Sequence, residues 1–205
     1  MRQLLINKLI TDKKVLSLLT LNDFGTWSSA SLSGIIFPLF SISQIKGADL
    51  TDVGLSSLVF LGVSAALNLP LGKAMDRLKG YVDETYILVA SSVLRGIALI
   101  LLAYSTSLAA LYFYQIILGI ARSMNYVSWR VLFSKYLDPK HVGEQWSVYD
   151  SVIAIGLGIA TFIGGYMGDN FPYSYVILVA GLVSIVGGVF PLFIVKDVKE
   201  IAEEK

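Results

Sequence analysis

Asp23, Arg95, Arg122 and Asp150 are ionisable side chains set inside long apolar stretches, and their charges sum to zero. A charge at bilayer depth costs about 2.5–3.5 kcal/mol on insertion scales, so it faces a protein interior, an opposite charge or water. The chemistry such groups offer is recognition of a charged solute or movement of a proton, not bond cleavage. Asp23 and Arg122 lie on stretches with a polar face and are the candidate binding charges. Gln115, Arg122, Tyr126 and Trp129 recur at spacings of seven, four and three, which places them on one helical face. With Asp23 and Trp27 they form the candidate substrate- and ion-binding set, suited to amphipathic or zwitterionic solutes. Arg95 has aliphatic neighbours and is read as a structural charge away from any solute path. Asp150, near the start of its stretch, reads as an interfacial or gate carboxylate.

Other chemistries are excluded by residue type. The chain has no cysteine and one histidine, His141, which falls in a predicted loop. A disulfide, a thiolate metal site and a histidine metal cluster are therefore excluded. No Gly-x-Ser-Gly, His-Glu-x-x-His or Gly-x-x-x-x-Gly-Lys-Ser/Thr motif occurs, which removes intramembrane proteolysis and a nucleotide-driven pump. No enzymatic activity, cofactor, metal or nucleic-acid partner is expected.

The elements that position these residues follow from hydropathy. Of 205 residues 55% are hydrophobic and 15% charged, with mean hydropathy +0.70, against roughly 25% charged in soluble domains. Six stretches approach the about 20 apolar residues that cross a bilayer: 16–42, 53–75, 85–105, 108–134, 145–168 and 174–195. Residues 1–14 form a predicted interfacial amphipathic segment, with Leu4, Leu5, Leu9 and Ile10 against Lys8, Lys13 and Lys14. The transmembrane domain is taken as 15–197, and 198–205 as a cytoplasmic tail. Thirteen of the sixteen Lys and Arg residues fall at the N-terminus, in the second-to-third and fourth-to-fifth connections, or at the C-terminus. The positive-inside rule then puts both termini in the cytoplasm. The predicted fold is all-α, a six-helix membrane bundle of two three-helix units, 16–105 and 108–195. The two units show no residue-level repeat. The sixth segment is expected to face lipid.

The connection after the second segment reads Gly72-Lys73-Ala74-Met75-Asp76-Arg77-Leu78-Lys79-Gly80. Glycine, three residues, Asp-Arg and a following glycine resemble the loop between helices two and three of the major facilitator superfamily, with the second glycine one residue late. In the fifth segment, Gly156-Leu157-Gly158-Ile159-Ala160-Thr161-Phe162-Ile163-Gly164-Gly165 is similar to the superfamily's antiporter signature Gly-x-x-x-Gly-Pro-x-x-Gly-Gly, with Ala160 and Thr161 at the middle glycine and the proline. Gln115 stands where the fourth-helix motif has arginine, and Arg122 follows further along the helix. The resemblance extends over about 16–195 and implies half of a twelve-span transporter. It assigns a gating role to Gly72, Asp76, Arg77, Gly80, Arg130 and Asp150, with a hydrogen bond between Asp76 and Arg130. Gly156, Ala160, Gly164 and Gly168 recur every fourth residue and form a close-packing stripe.

The function that follows is secondary active transport of a small solute by alternating access. The resemblance implies an ion-coupled exporter or antiporter, with H+ as the candidate coupling ion. The chain is expected to work as a homodimer or beside a second six-helix half, in the lipid bilayer of a prokaryotic plasma membrane. The alternatives are a permease subunit of an ATP-driven transporter and a non-transporting membrane scaffold.

Overall fold

In a computed structural model the backbone is described over residues 2–77 and 82–195, and side chains within those ranges from residue 12. Gly80 of the gating motif, the apolar and basic face of residues 1–11, and the tail at 198–205 lie outside the described residues. Six α-helices follow one another: α1 (Arg2–Gln44), α2 (Leu50–Met75), α3 (Val82–Ala103), α4 (Leu108–Tyr136), α5 (Val142–Asn170) and α6 (Tyr173–Gly187). A 3-10 turn at Phe190–Ile194 extends the last helix. α2, α3, α5, and α6 with its extension, are each long and apolar enough to cross a membrane. α1 and α4 carry the polar residues that the sequence placed around a cavity.

The helix starts are set locally. Asp49 caps α2 by accepting from the backbone N–H groups of Thr51 and Asp52 at 2.8 and 3.0 Å, and Asp52 accepts in return from the Asp49 N–H at 3.1 Å. This reciprocal box satisfies donors that a helix N-terminus otherwise leaves open. Gly47, with φ of 76°, makes the turn into it, a conformation that costs other residues a clash with Cβ. The α1–α2 and α3–α4 connections meet at one end of the bundle. Gln44 donates to the Ala103 and Ser105 carbonyls at 2.8 and 3.2 Å, and the Lys46 N–H to Thr106 at 3.0 Å.

Helices pack mainly against partners that are not their neighbours in sequence. The close partners are α2 with α4, α4 with α3, α3 with α6, α6 with α1, and α1 with α5. The order α2-α4-α3-α6-α1-α5 is reversed, with every pair of partners kept, when α1 and α4, α2 and α5, and α3 and α6 are exchanged. A relation absent at residue level is thus present in the pattern of partners.

Small residues bring the middle of this arc together. A Cβ on Gly96 would lie 2.6 Å from the Gly181 carbonyl, and one on Gly25 would lie 2.7 Å from the Gly187 Cα. Lipid tails are as apolar as leucine, so close backbone contact supplies much of the association energy. α6 therefore does more than face lipid: Val176, Ile177, Ala180, Gly181 and Ser184 are buried against its neighbours. Two apolar clusters sit at opposite ends. One joins Leu32, Ile36 and Phe40 to Leu102, Leu111 and Ile177. The other joins Val15 and Leu19 to Leu88, Trp129, Leu132 and Phe133.

Candidate functional site

α1 carries more polar groups than a lipid-facing helix tolerates, and helical geometry divides them between two faces. Asn22 and Ser29 are buried, and the Asn22 amide donates to the Gly187 carbonyl at 3.0 Å and Ser92 Oγ at 3.4 Å. Asp23, Thr26, Trp27, Ser33 and Gly34 turn instead toward a cavity of about 700 Å³ walled by α1 to α5. Asn22, Thr26, Ser29 and Ser33 recur at three- and four-residue spacing, yet Asn22 and Ser29 serve helix packing while Thr26 and Ser33 line the cavity.

The second polar wall comes from α4. Gln115, Arg122, Asn125, Tyr126, Trp129 and Arg130 all line the cavity, Trp146, Tyr149 and Asp150 add the edge from α5, and Phe60 and Ser57 come from α2. Every residue of the binding set read from the sequence, Asp23, Trp27, Gln115, Arg122, Tyr126 and Trp129, lines this cavity. Their surroundings differ. The Arg122 guanidinium donates to Ser64 Oγ at 2.9 Å and lies 5.8 and 5.7 Å from the Phe60 and Tyr126 ring centres. Asp23 is buried and accepts from Trp27 Nε1 at 3.0 Å and from the Tyr149 hydroxyl. Trp129 is more a structural anchor than a free wall. It stacks on Phe133 at 4.4 Å, and its indole donates to the Leu19 carbonyl at 3.0 Å.

Two expectations differ from the structure. Arg95, expected away from the solute path, lines the cavity, and its Nε is buried without a hydrogen-bond partner. Aliphatic neighbours in sequence do not reveal its surroundings, because the helix turns Arg95 toward the same side as Ser91 and Ser92, which also line the cavity. Asp76 and Arg130 do not meet. Asp76 is exposed just past the end of α2, while the Arg130 guanidinium lies 4.3 Å from the Tyr126 ring centre. Four residues separate Tyr126 from Arg130 on α4, so this partner is one helical turn away and always within reach. Tyr149 and Asn125 were not singled out. Asn125 was detectable, three residues from Arg122 on the polar face, whereas Tyr149 declares itself only by meeting Asp23 across α1 and α5.

Gly72, Asp76 and Arg77 lie at the end of α2, away from the cavity wall, and Asp150 is exposed at its rim. The α5 stripe faces α1: a Cβ on Gly156 would lie 2.4 Å from the Phe24 ring, one on Gly164 3.1 Å from the Leu32 carbonyl, and one on Gly168 2.4 Å from Ile36. Ala160 is buried in the same seam. Beyond the bundle's end, Asp138 in the α4–α5 connection accepts from the Lys140 N–H at 2.9 Å and faces His141 Nδ1 at 3.0 Å. These contacts, the Lys140 N–H first, hold its carboxyl below the usual range.

A sequence profile of the Major Facilitator Superfamily matches residues 19–205. The chain belongs to this superfamily. Two relatives carry the same family name. An uncharacterized MFS-type transporter, YitZ, of Bacillus subtilis (strain 168) is 27% identical over 158 residues, 76% of this chain and 93% of its own length. An uncharacterized MFS-type transporter, MJ1560, of Methanocaldococcus jannaschii is 20% identical over 166 residues, 80% of this chain. The match spans 42% of that archaeal protein's length. As a facilitator-superfamily member the chain is an integral membrane protein of a transporter family. The superfamily frame accounts for charges at bilayer depth on α1, α3 and α4, since they border a cavity rather than lipid.

Proposed function

We propose that the chain is one six-helix half of a secondary transporter that moves a small solute by alternating access, as an ion-coupled exporter. The carrying observation is the cavity of about 700 Å³ that gathers Asp23, Arg95 and Arg122 from three different helices. Six spans with both termini in the cytoplasm agree with the alternation of basic residues. Asp23 is the candidate proton carrier: it is the buried carboxylate on the wall, and two neutral donors hold it rather than a cation. Gly72, Asp76 and Arg77 serve the cytoplasmic gate, in a conformation where Asp76 is not engaged.

One half supplies one bundle. Alternating access rocks two bundles about a site at their interface. Trp27, Phe113, Phe162 and Tyr166 are exposed apolar side chains on the described helices, and a second bundle, an identical copy or a separate half, would cover part of this surface. Reconstitution in liposomes at falling protein-to-lipid ratio, with native mass spectrometry in mild detergent, tests the reading. Flux that falls faster than chain number, together with a dimer or a hetero-pair in the spectrum, is the expected result. Flux per chain that persists at one chain per vesicle refutes the half-transporter reading.

A further inference from the structure

The cavity wall carries three arginines against two aspartates, and the pairing among them is uneven. Asp23 already accepts from Trp27 and Tyr149, and Asp150 is exposed at the rim. Among the described residues neither Arg95 nor Arg122 has a carboxylate within 4.0 Å. Arg122 spends one donor on Ser64, and Arg95 and Arg122 line the same cavity from α3 and α4. Arg95 Nε, Asn125 Nδ2 and Thr26 Oγ1 are all buried without a partner, and all three residues line the same cavity from α3, α4 and α1.

Arg95 and Arg122 are each half-buried on this wall, and a charge taken partly out of water gains from an opposite charge. One anion between the two guanidiniums relieves both. The guanidinium fork matches a carboxylate or phosphate with two parallel N–H donors, a geometry that a single ammonium lacks. Asn125 and Thr26 add neutral polar groups to the same cavity lining. Phe60, Tyr126 and Trp27 offer apolar surface within the same cavity.

We propose that Arg95 and Arg122 form an anion subsite, and that the solute is an amphipathic organic anion, a carboxylate or phosphate ester on an aromatic body. Binding of the anion stands on the geometry alone; its translocation rests on the transporter reading above.

All three tryptophans of the chain, Trp27, Trp129 and Trp146, line the cavity, so intrinsic fluorescence reports on its occupant. The full chain in phosphatidylcholine nanodiscs is titrated with para-nitrobenzoate, para-nitrophenyl phosphate, para-nitrobenzyl alcohol and para-nitrobenzylammonium. These share a quenching body and differ in charge. Saturable quenching by the two anions, at least roughly tenfold tighter than by the alcohol, is the expected result, since charge-assisted hydrogen bonds contribute about that much. Arg95→Gln and Arg122→Gln should each remove most of that preference, and Arg95→Lys should retain part of it. Size-exclusion behaviour and tryptophan emission without probe show that each variant is folded, and the lysine variant keeps the test open if a glutamine variant is not. Equal binding of all four probes, tighter binding of the cation, or no saturable quenching overturns the anion subsite. Loss of quenching when phosphatidylglycerol replaces part of the phosphatidylcholine assigns the arginines to an anionic headgroup and overturns the solute assignment. Liposome flux separates this inference from the transporter reading. Anion binding without flux leaves the subsite standing and removes transport, whereas flux of the alcohol or the cation in preference to the anions does the reverse.

Discussion

The Tyr149 hydroxyl of α5 donates to the Asp23 carboxylate of α1, at the same oxygen that Trp27 reaches from one turn further along α1. This joins two helices through a buried carboxylate beside the cavity. Elsewhere in the α1–α5 seam, glycines of α5 meet Phe24, Leu32, Ile35 and Ile36 of α1. A hydrogen bond to a charged group contributes about 1.5–3 kcal/mol. Tyr149→Phe should therefore lower the thermal midpoint in detergent. Combined with Asp23→Asn, it should cost less than the two single losses added, with a coupling of about 0.5–3 kcal/mol. Strict additivity in that double-mutant cycle would show that the contact is not energetically significant.

Proton coupling through Asp23 has its own consequence. Asp23→Asn keeps the volume and the acceptor for Trp27 but cannot release a proton. Solute exchange should persist in this variant while flux driven by a pH gradient is lost. Gradient-driven uptake at the wild-type rate would remove Asp23 from the coupling step.

Close backbone approach at the centre of the arc predicts a sharp contrast between glycines. Gly96→Ala would set its Cβ 2.4 Å from Ile185 Cγ1 and 2.6 Å from the Gly181 carbonyl. Overpacking of this kind costs about 1–3 kcal/mol. Gly158→Ala meets nothing within 4 Å on α5, and there the change should be neutral or slightly stabilising, since alanine is the better helix former. Thermal unfolding of the two variants in the same detergent checks this, and equal midpoints would refute the close α3–α6 contact.

The orientation rests on charge. Cysteines placed at Lys46 and Asp169 should react with an impermeant reagent from outside intact cells, and those at Lys79, Lys140 and Lys199 only after permeabilisation. The native chain has no cysteine to confuse the result. Outside labelling at position 79 would overturn the six-span reading.

Asp138 ties the α4–α5 connection through the Lys140 N–H. Its carboxyl is held below the usual range, so the folded loop binds this proton less readily than the unfolded one. The contribution is present above the ordinary carboxylate pKa and is lost as pH falls through the lowered value. Amide exchange at Lys140, corrected for its intrinsic acid dependence, should lose protection only on strong acidification. In Asp138→Asn that transition should disappear. An unchanged transition would assign it to another group.

An all-helical membrane protein was legible in the residues because each long apolar stretch must bury its own backbone hydrogen bonds. The clustering of Lys and Arg in alternate connections gives each connection an expected side, which the cysteine labelling tests. The superfamily was legible in Gly72-x-x-x-Asp76-Arg77 and in the α5 stripe. The polar faces of α1 and α4 were also visible, since helical spacing alone puts Gln115, Arg122, Tyr126 and Trp129 on one side. Spacing names a face, however, and not the neighbour that face meets. Asn22 and Asp23 are adjacent in sequence, yet about 100° of helical turn sends one to Gly187 and the other to Tyr149. Arg95 looked structural beside aliphatic residues, and only the packing of α3 between α4 and α6 turns it onto the cavity wall. The family resemblance pairs Asp76 with Arg130, yet Tyr126, one turn from Arg130 on the same helix, is the partner it finds. Local spacing sets which residues share a helix face; contacts between residues 70 to 165 positions apart decide what that face touches, as Asn22 does with Ser92 and Gly187.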